Sequence, residues 1–364
     1  MRYLVKALLK YSASDLHLKI GRPPLYRING RLIPAKMPQL DKPSIESVLF
    51  SVLNEKQRAE LFEKRSVDCS FGFSEIGRFR CNVFFQRGSV SAVIRLIPLN
   101  VPSIDELGLP PVLKDLCYKP RGLVLVTGAT GSGKSTTLAA MVQHMNENRY
   151  VHVLTLEDPI EFIYRDQKAS ITQRELGSDI RDFSEALYSG LRQDPDVIVI
   201  GEMREQSVVQ TALTAAETGH LVIATLHTND AISSLERILD IFPGEMQNQV
   251  RVQLASCLVG IVSQRLLVKT DGTGRVPATE VMIKSPAIEN YIRRNEVPHI
   301  YEAMANSNAY YKMQTFNQDL ERLTAQSTVS VDEALKASNQ PDELRMRLAG
   351  VRREEGYGND PSKT

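Results

Sequence analysis

Residues 128–136 read Gly128-Ala129-Thr130-Gly131-Ser132-Gly133-Lys134-Ser135-Thr136, a match to G-x-x-x-x-G-K-[ST]. Just before it, Gly122-Leu123-Val124-Leu125-Val126 is a short apolar run suited to a buried parallel strand. Just after Lys134, the residues from Ser135 to Met145 read as a helix. Strand, glycine turn and helix form the setting in which this motif cradles phosphate. The glycines let successive N–H groups point inward, and the helix start adds its positive dipole end. Lys134 is expected on the β- and γ-phosphates and the Ser135 hydroxyl on Mg²⁺. Gly128, Thr130, Gly131, Ser132, Gly133 and Thr136 complete the expected cradle.

The 364-residue chain is long enough for two domains with real cores. Its 44 Lys and Arg nearly balance its 43 Asp and Glu. Such a balance gives no electrostatic case for nucleic acid or an anionic membrane as the main partner. No apolar stretch approaches the ~20 residues of a membrane span. The start, Met1-Arg-Tyr-Leu-Val-Lys6, lacks the apolar core and cleavage site of a signal peptide, so a cytoplasmic protein is expected. The four cysteines have no C-x-x-C spacing, which points to reduced core thiols.

Residues 1–100 read as a small α+β domain. Alternation from Asp15 to Ile20 suggests a strand, and Leu25–Ile33 a hairpin turning at Asn29-Gly30. Helical spacing runs from Ser44 to Phe62, and strands are expected over 67–71, 77–85 and 89–97. Arg78, Arg80 and Arg95 fall in those strands, as solvated residues or as phosphate contacts, to which a guanidinium fork is suited. The proline-rich stretch 101–113 reads as a linker. From 114 to 364, apolar runs alternate with helical stretches, which predicts a parallel sheet covered by helices. Helices are expected over Ser234–Ile241 and Glu245–Gln264, then a mainly helical end and a frayed tail from Gly356.

Three acid- or histidine-bearing strand ends accompany the phosphate loop. Asp196-Val-Ile-Val-Ile200-Gly201-Glu202 closes one strand on an acid able to hold a Mg²⁺ hydration shell or polarise water. Glu157-Asp158-Pro159-Ile160-Glu161 closes another, and three nearby carboxylates call for a cation or arginines. Glu161 comes first and Glu202 second as general base, and the residues alone do not separate them. A third strand lies between His220 and His227. His227 is a candidate γ-phosphate contact, and His220 a candidate relay to a neighbouring subunit.

In this order, the loop at 128–136, the acids at 155–161, the run 191–202 and the histidines at 216–227 resemble the secretion-ATPase superfamily of P-loop motors. Within it the chain is most similar to the retraction ATPases of type IV pili. The resemblance implies a PAS-like N-terminal domain, a RecA-like ATPase domain and a homohexamer that turns over ATP with Mg²⁺. It also implies that Arg78, Arg80 and Arg95 face the nucleotide, and that the partner is an inner-membrane platform protein, which would place the chain peripherally at that membrane. One segment departs from the retraction pattern: Ala287-Ile-Glu-Asn-Tyr-Ile-Arg-Arg294 stands where Ala-Ile-Arg-Asn-Leu-Ile-Arg-Glu is usual. Accessory retraction, pilus extension or type II secretion, and a regulatory subunit with little turnover are the alternatives.

Overall fold

The computed structural model describes residues 1–28, 30–73, 76–98 and 100–350. Asn29 of the expected turn and the tail from Gly356 lie outside them. Two compact units emerge, one of Met1–Val101 with Ile160–Tyr164, the other of Pro102–Pro159 with Arg165 onward.

The first unit contains α1 (Arg2–Lys10), β1 (Asp15–Leu18), β2 (Leu25–Ile28), β3 (Arg31–Pro34), α2 (Lys42–Phe50), α3 (Glu55–Lys64), β4 (Ser66–Phe73), β5 (Gly77–Gln86) and β6 (Ser89–Leu96). Its strands pair antiparallel in the order β3-β2-β1-β6-β5-β4. Along β5, Phe79, Cys81 and Val83 turn into the core while Arg80 faces out, as a two-residue period requires. Helix α1 has no counterpart among the expected elements, although Leu4, Val5 and Leu8 give it a buried face. The single helix expected over 44–62 is two helices. Asn54 starts α3 with a capping box: its side chain accepts from the Gln57 N–H, and Gln57 returns the bond to the Asn54 N–H.

The second unit contains α4 (Val112–Cys117), β7 (Gly122–Thr127), α5 (Lys134–Asn148), β8 (His152–Glu157), β9 (Ser170–Glu175), α6 (Phe183–Gly190), β10 (Val197–Ile200), α7 (Gln206–Glu217), β11 (Leu221–Leu226), α8 (Ala231–Asp240), α9 (Gly244–Cys257), β12 (Leu258–Val268) and β13 (Arg275–Ile283). Six further helices follow: α10 (Pro286–Arg294), α11 (Pro298–Asn306), α12 (Asn308–Tyr311), α13 (Phe316–Ala325), α14 (Val331–Ala337) and α15 (Pro341–Leu348). The sheet order is β13-β12-β7-β11-β10-β8-β9, parallel throughout except for the edge strand β13. Every residue of β7, β10 and β11 is buried. Helices on both faces explain why these strands read as unbroken apolar runs. Within 101–113, Ile104, Leu109 and Leu113 are buried.

The expected helix 245–264 ends at Cys257, and the chain passes directly into β12. Leu258-Val-Gly-Ile-Val262 is buried against β7 and β13, and that pairing overrides local helix propensity. β13 likewise interrupts the expected helical end. Pro277 sits within it, opposite Leu266, where an edge strand tolerates a missing N–H. All four cysteines are buried and unbridged. Among the described residues, no helix is long and apolar enough to cross a membrane.

Candidate functional site

Parallel pairing brings four functional segments to the carboxyl ends of neighbouring strands in the second sheet. Leu226 is in register with Thr127, and Ile200 with Ala224 and Leu156. The phosphate loop, Glu202, the His227 turn and Glu157 therefore all follow the carboxyl ends of neighbouring strands, where open α/β sheets bind ligands.

The loop itself needs its glycines. Gly128, Gly131 and Gly133 have φ of 150°, 79° and 92°. At Gly128 a Cβ would stand 2.4 Å from Ser132 Oγ and 2.5 Å from the Gln264 carbonyl oxygen, so no side chain fits. Gln264, from β12, donates its side-chain amide to the Ser132 carbonyl at 2.7 Å and braces the turn. Lys134 opens α5 and is 8% exposed. Its ammonium turns back onto the loop, donating to the Gly128 and Ala129 carbonyls at 2.8 and 3.0 Å. Burial pulls the Lys134 ammonium below its usual range, and the Glu202 charge opposes that fall. The buried Ser132 hydroxyl has no hydrogen-bond partner among the described residues. A buried cation satisfied only by carbonyls and an orphaned donor beside it suit an incoming phosphate. Thr130, Gly131 and Ser135 are exposed, and Thr136 is half-buried. A cleft of about 270 Å³ borders the loop, lined in part by Ser132, Asn229, Gln264, Arg265 and Arg275.

Glu202 is tightly engaged. Arg204 meets its two oxygens at 2.5 and 2.7 Å, and His227 Nε2 lies 3.2 Å away. Burial alone would raise the Glu202 carboxyl, but Arg204 and His227 outweigh it and bring it below the usual carboxylate range. The other His227 nitrogen, Nδ1, stands 3.4 Å from Thr130 Oγ1 of the phosphate loop. One imidazole thus bridges the loop and the acid. Arg204 was not among the expected site residues, although its place two residues after Glu202 was a readable signal.

The remaining candidates are dispersed. The Glu157 carboxylate accepts from Thr155 Oγ1 at 2.7 Å and from the Gln173 amide at 3.0 Å. Asp158 and Glu161 are exposed, and Glu161 belongs to the 160–164 stretch grouped with the first unit. No three acids or histidines are gathered as a metal cage among the described residues. His220 lies at the opposite end of β11, where its Nδ1 faces the Ala215 carbonyl at 3.1 Å and its carbonyl accepts from the Gly122 N–H. A strand rise of about 3.3 Å per residue separates it from the cradle by roughly 20 Å. In the first unit Arg80 stands directly opposite Arg95. Arg95 is ion-paired to Asp15 at 2.8 Å, and Arg78 donates to Ser70 Oγ at 3.1 Å. Arg80 is exposed and makes no ion pair among the described residues.

A second buried acid supports the His227 turn from below. Glu280 of β13 is 4% exposed and accepts the Ala231 N–H at 2.9 Å, completing the start of α8. Burial pushes its carboxyl up to about 7. The Ala231 N–H resists that rise, Asp230 adds to it, and the Phe316 N–H and Arg265 resist it. The folded chain therefore disfavours the ionised form more than the unfolded chain does. The stability contribution of Glu280 is fullest below the ordinary carboxylate value of 4.5 and declines as pH rises towards about 7. Glu280→Gln keeps the acceptor and removes the titration. Denaturation midpoints at pH 5 and pH 7.5 should differ less in the variant than in the parent chain. An unchanged difference would assign the pH dependence to other groups.

Comparison with known proteins gives one consistent result. A family model described as type II/IV secretion system protein matches residues 1–347. The type IV pilus retractation ATPase PilT of Pseudomonas aeruginosa is 44% identical over 333 residues, covering 92% of this chain and 96% of that protein. The type IV pilus ATPase PilU of the same organism is 40% identical over 347 residues, covering 95% and 90%. A crystal structure of the pilus retraction motor PilT with bound ADP superposes with a TM-score of 0.87 at 47% identity, covering 94% of this chain and 97% of that one.

Proposed function

The chain belongs to the type II/IV secretion system protein family, and from that premise we propose that it is an ATP-hydrolysing motor powering type IV pilus retraction. The observation that carries the ATPase reading is the joined geometry of Lys134, Glu202 and His227 at the carboxyl ends of neighbouring strands. Retraction as the direction of work rests on the likeness to the PilT proteins.

In this reading the 128–134 backbone and the Lys134 ammonium receive the β- and γ-phosphates, and Ser132 gains a partner for its buried hydroxyl. Mg²⁺, when bound with the nucleotide, neutralises charge developing on the phosphate oxygens. Ser135 would hold it through its hydroxyl, and Glu202 would hold one of its waters. So few protein ligands are usual for an ion that keeps most of its waters.

A general base needs an uncommitted lone pair and a pKa near the working pH. Glu202 lacks the second, because Arg204 and His227 hold it acidic. Glu161 makes no hydrogen bond or ion pair among the described residues, so it takes the proton from the attacking water. Glu202 instead fixes His227 towards the γ-phosphate. Arg78, Arg80 and Arg95 act on the developing charge from the N-terminal domain, with Arg80 the readiest because its guanidinium is uncommitted.

The PAS-like part (1–100) and the RecA-like part (114–364), joined by the linker (101–113), work as the moving bodies of a homohexamer. The ring sits in the cytoplasm against an inner-membrane platform protein. The purified chain should release phosphate from ATP with Mg²⁺ at a rate of order 1 s⁻¹ or faster, as an ordinary enzyme does. Release no faster than in a protein-free control would favour a nucleotide-sensing subunit.

A further inference from the structure

Behind the phosphate loop and the His227 turn lies a chain of buried hydroxyls that none of the site residues above includes. Thr127 ends β7 immediately before Gly128, and its Oγ1 is 2.7 Å from Ser263 Oγ of β12. Thr228 follows His227, and its Oγ1 is 2.6 Å from Ser234 Oγ of α8. Ser234 Oγ lies 3.4 Å from Thr127 Oγ1 and 2.6 Å from the Asp230 carbonyl. Thr127, Ser234 and Ser263 are 0% exposed and Thr228 is 9% exposed.

Proton bookkeeping gives this chain a direction. A serine hydroxyl has one hydrogen and two acceptor positions. The Asp230 carbonyl can only accept, so Ser234 spends its hydrogen there. Thr228 must then donate to Ser234, whose own hydrogen, held mainly by the Asp230 carbonyl, also leans towards Thr127 Oγ1 at 3.4 Å. A helical serine bonded to the carbonyl four residues back is common and by itself unremarkable in effect. Here the same oxygen also receives the turn that carries His227 and faces the strand that carries the phosphate loop.

We propose that Ser234 is a positioning residue that keys the His227 turn to the base of the phosphate loop, so that His227 stands at the γ-phosphate when the loop is filled. This rests on the reading of His227 given above. Without the Ser234 hydroxyl, Thr228 has a buried hydrogen and no acceptor, and the His227 turn loses its register with Gly128. The cradle for the β-phosphate, built from the loop itself and braced by Gln264, keeps its shape.

The test compares the parent chain, Ser234→Ala, His227→Ala and the double variant. Each is measured for ATP turnover and for affinity towards ADP and a non-hydrolysable ATP analogue. Ser234→Ala should lower kcat about tenfold and weaken the analogue several-fold, with ADP affinity within about twofold, as expected when one interaction made only with the γ-phosphate is lost. With His227 already alanine, Ser234→Ala should weaken the analogue no further, because coupled residues are non-additive. Equal losses in both backgrounds, a parallel fall in ADP affinity, or unchanged kcat would each overturn the proposal. If His227→Ala alone leaves analogue affinity intact, the reading of His227 falls and this inference with it, which is a different result from additivity. Should Ser234→Ala fail to fold, Thr228→Val removes the donor from the turn side and must give the same pattern.

Discussion

Lys134→Ala is expected to lower ATP turnover by at least about 10²–10³-fold, the scale of losing one preorganised charge at a reacting centre. The structure gives the reason. The Lys134 ammonium is nearly buried, with the Gly128 and Ala129 carbonyls as its acceptors, and burial pulls its pKa down. Such a cation contributes little to the fold, because leaving water costs it more than two carbonyls return. Its value lies in the anion it can receive. The variant should therefore melt within a few degrees of the parent without nucleotide. ADP at about 100 times its Kd stabilises a binding-competent fold by about 2.7 kcal/mol, which at about 2–4 °C per kcal/mol raises the melting point by roughly 5–11 °C in a domain of this size. That rise should be present in the parent and absent in the variant. Near-normal turnover in Lys134→Ala would remove the loop from the chemistry.

Glu161→Gln is expected to lower kcat by about 10²–10⁴-fold while leaving nucleotide affinity within a few-fold, the behaviour of a lost general base. Glu202→Gln makes the informative contrast. Its carboxylate is clamped by Arg204 and touched by His227, so loss of its charge releases the His227 ring as well as weakening the field at Lys134. Affinity for an ATP analogue should fall in Glu202→Gln and persist in Glu161→Gln. Single-turnover phosphate release and equilibrium binding separate the two. If Glu161→Gln keeps more than a tenth of the parent's kcat, the base is another group.

What was legible follows a physical rule. The phosphate loop and the flanking β7 and α5 were readable because one contiguous segment supplies the strand, the φ-permissive glycines and the helix start. The parallel sheet was readable because strands covered on both faces are apolar almost throughout, as β10 is at every position and β11 at all but Thr225. The same property hid β12, since its mostly buried run directly after a helix carries no period to distinguish it and no breaker at Cys257. Asn54 with Gln57 was a readable start signal inside what looked like one helix. The clamp of Arg204 on Glu202 is local, two residues along the chain, whereas the contacts of Ser234 and Ser263 with Thr127 arise from strand register and helix docking across more than a hundred residues of chain, and no local spacing announces them.

Segment 287–294 bears on the direction of work. In α10, Glu289 pairs with Arg293 at 2.8 Å and with Lys284 at 3.1 Å, so the residue that departs in charge from the retraction pattern is tied into its own surface. The central claim, retraction, is tested most directly by counting surface pili on cells deleted for this chain. The account predicts abundant pili that no longer retract, restored to normal by the parent gene and not by Lys134→Ala. Bald cells would contradict it and assign the motor to pilus extension.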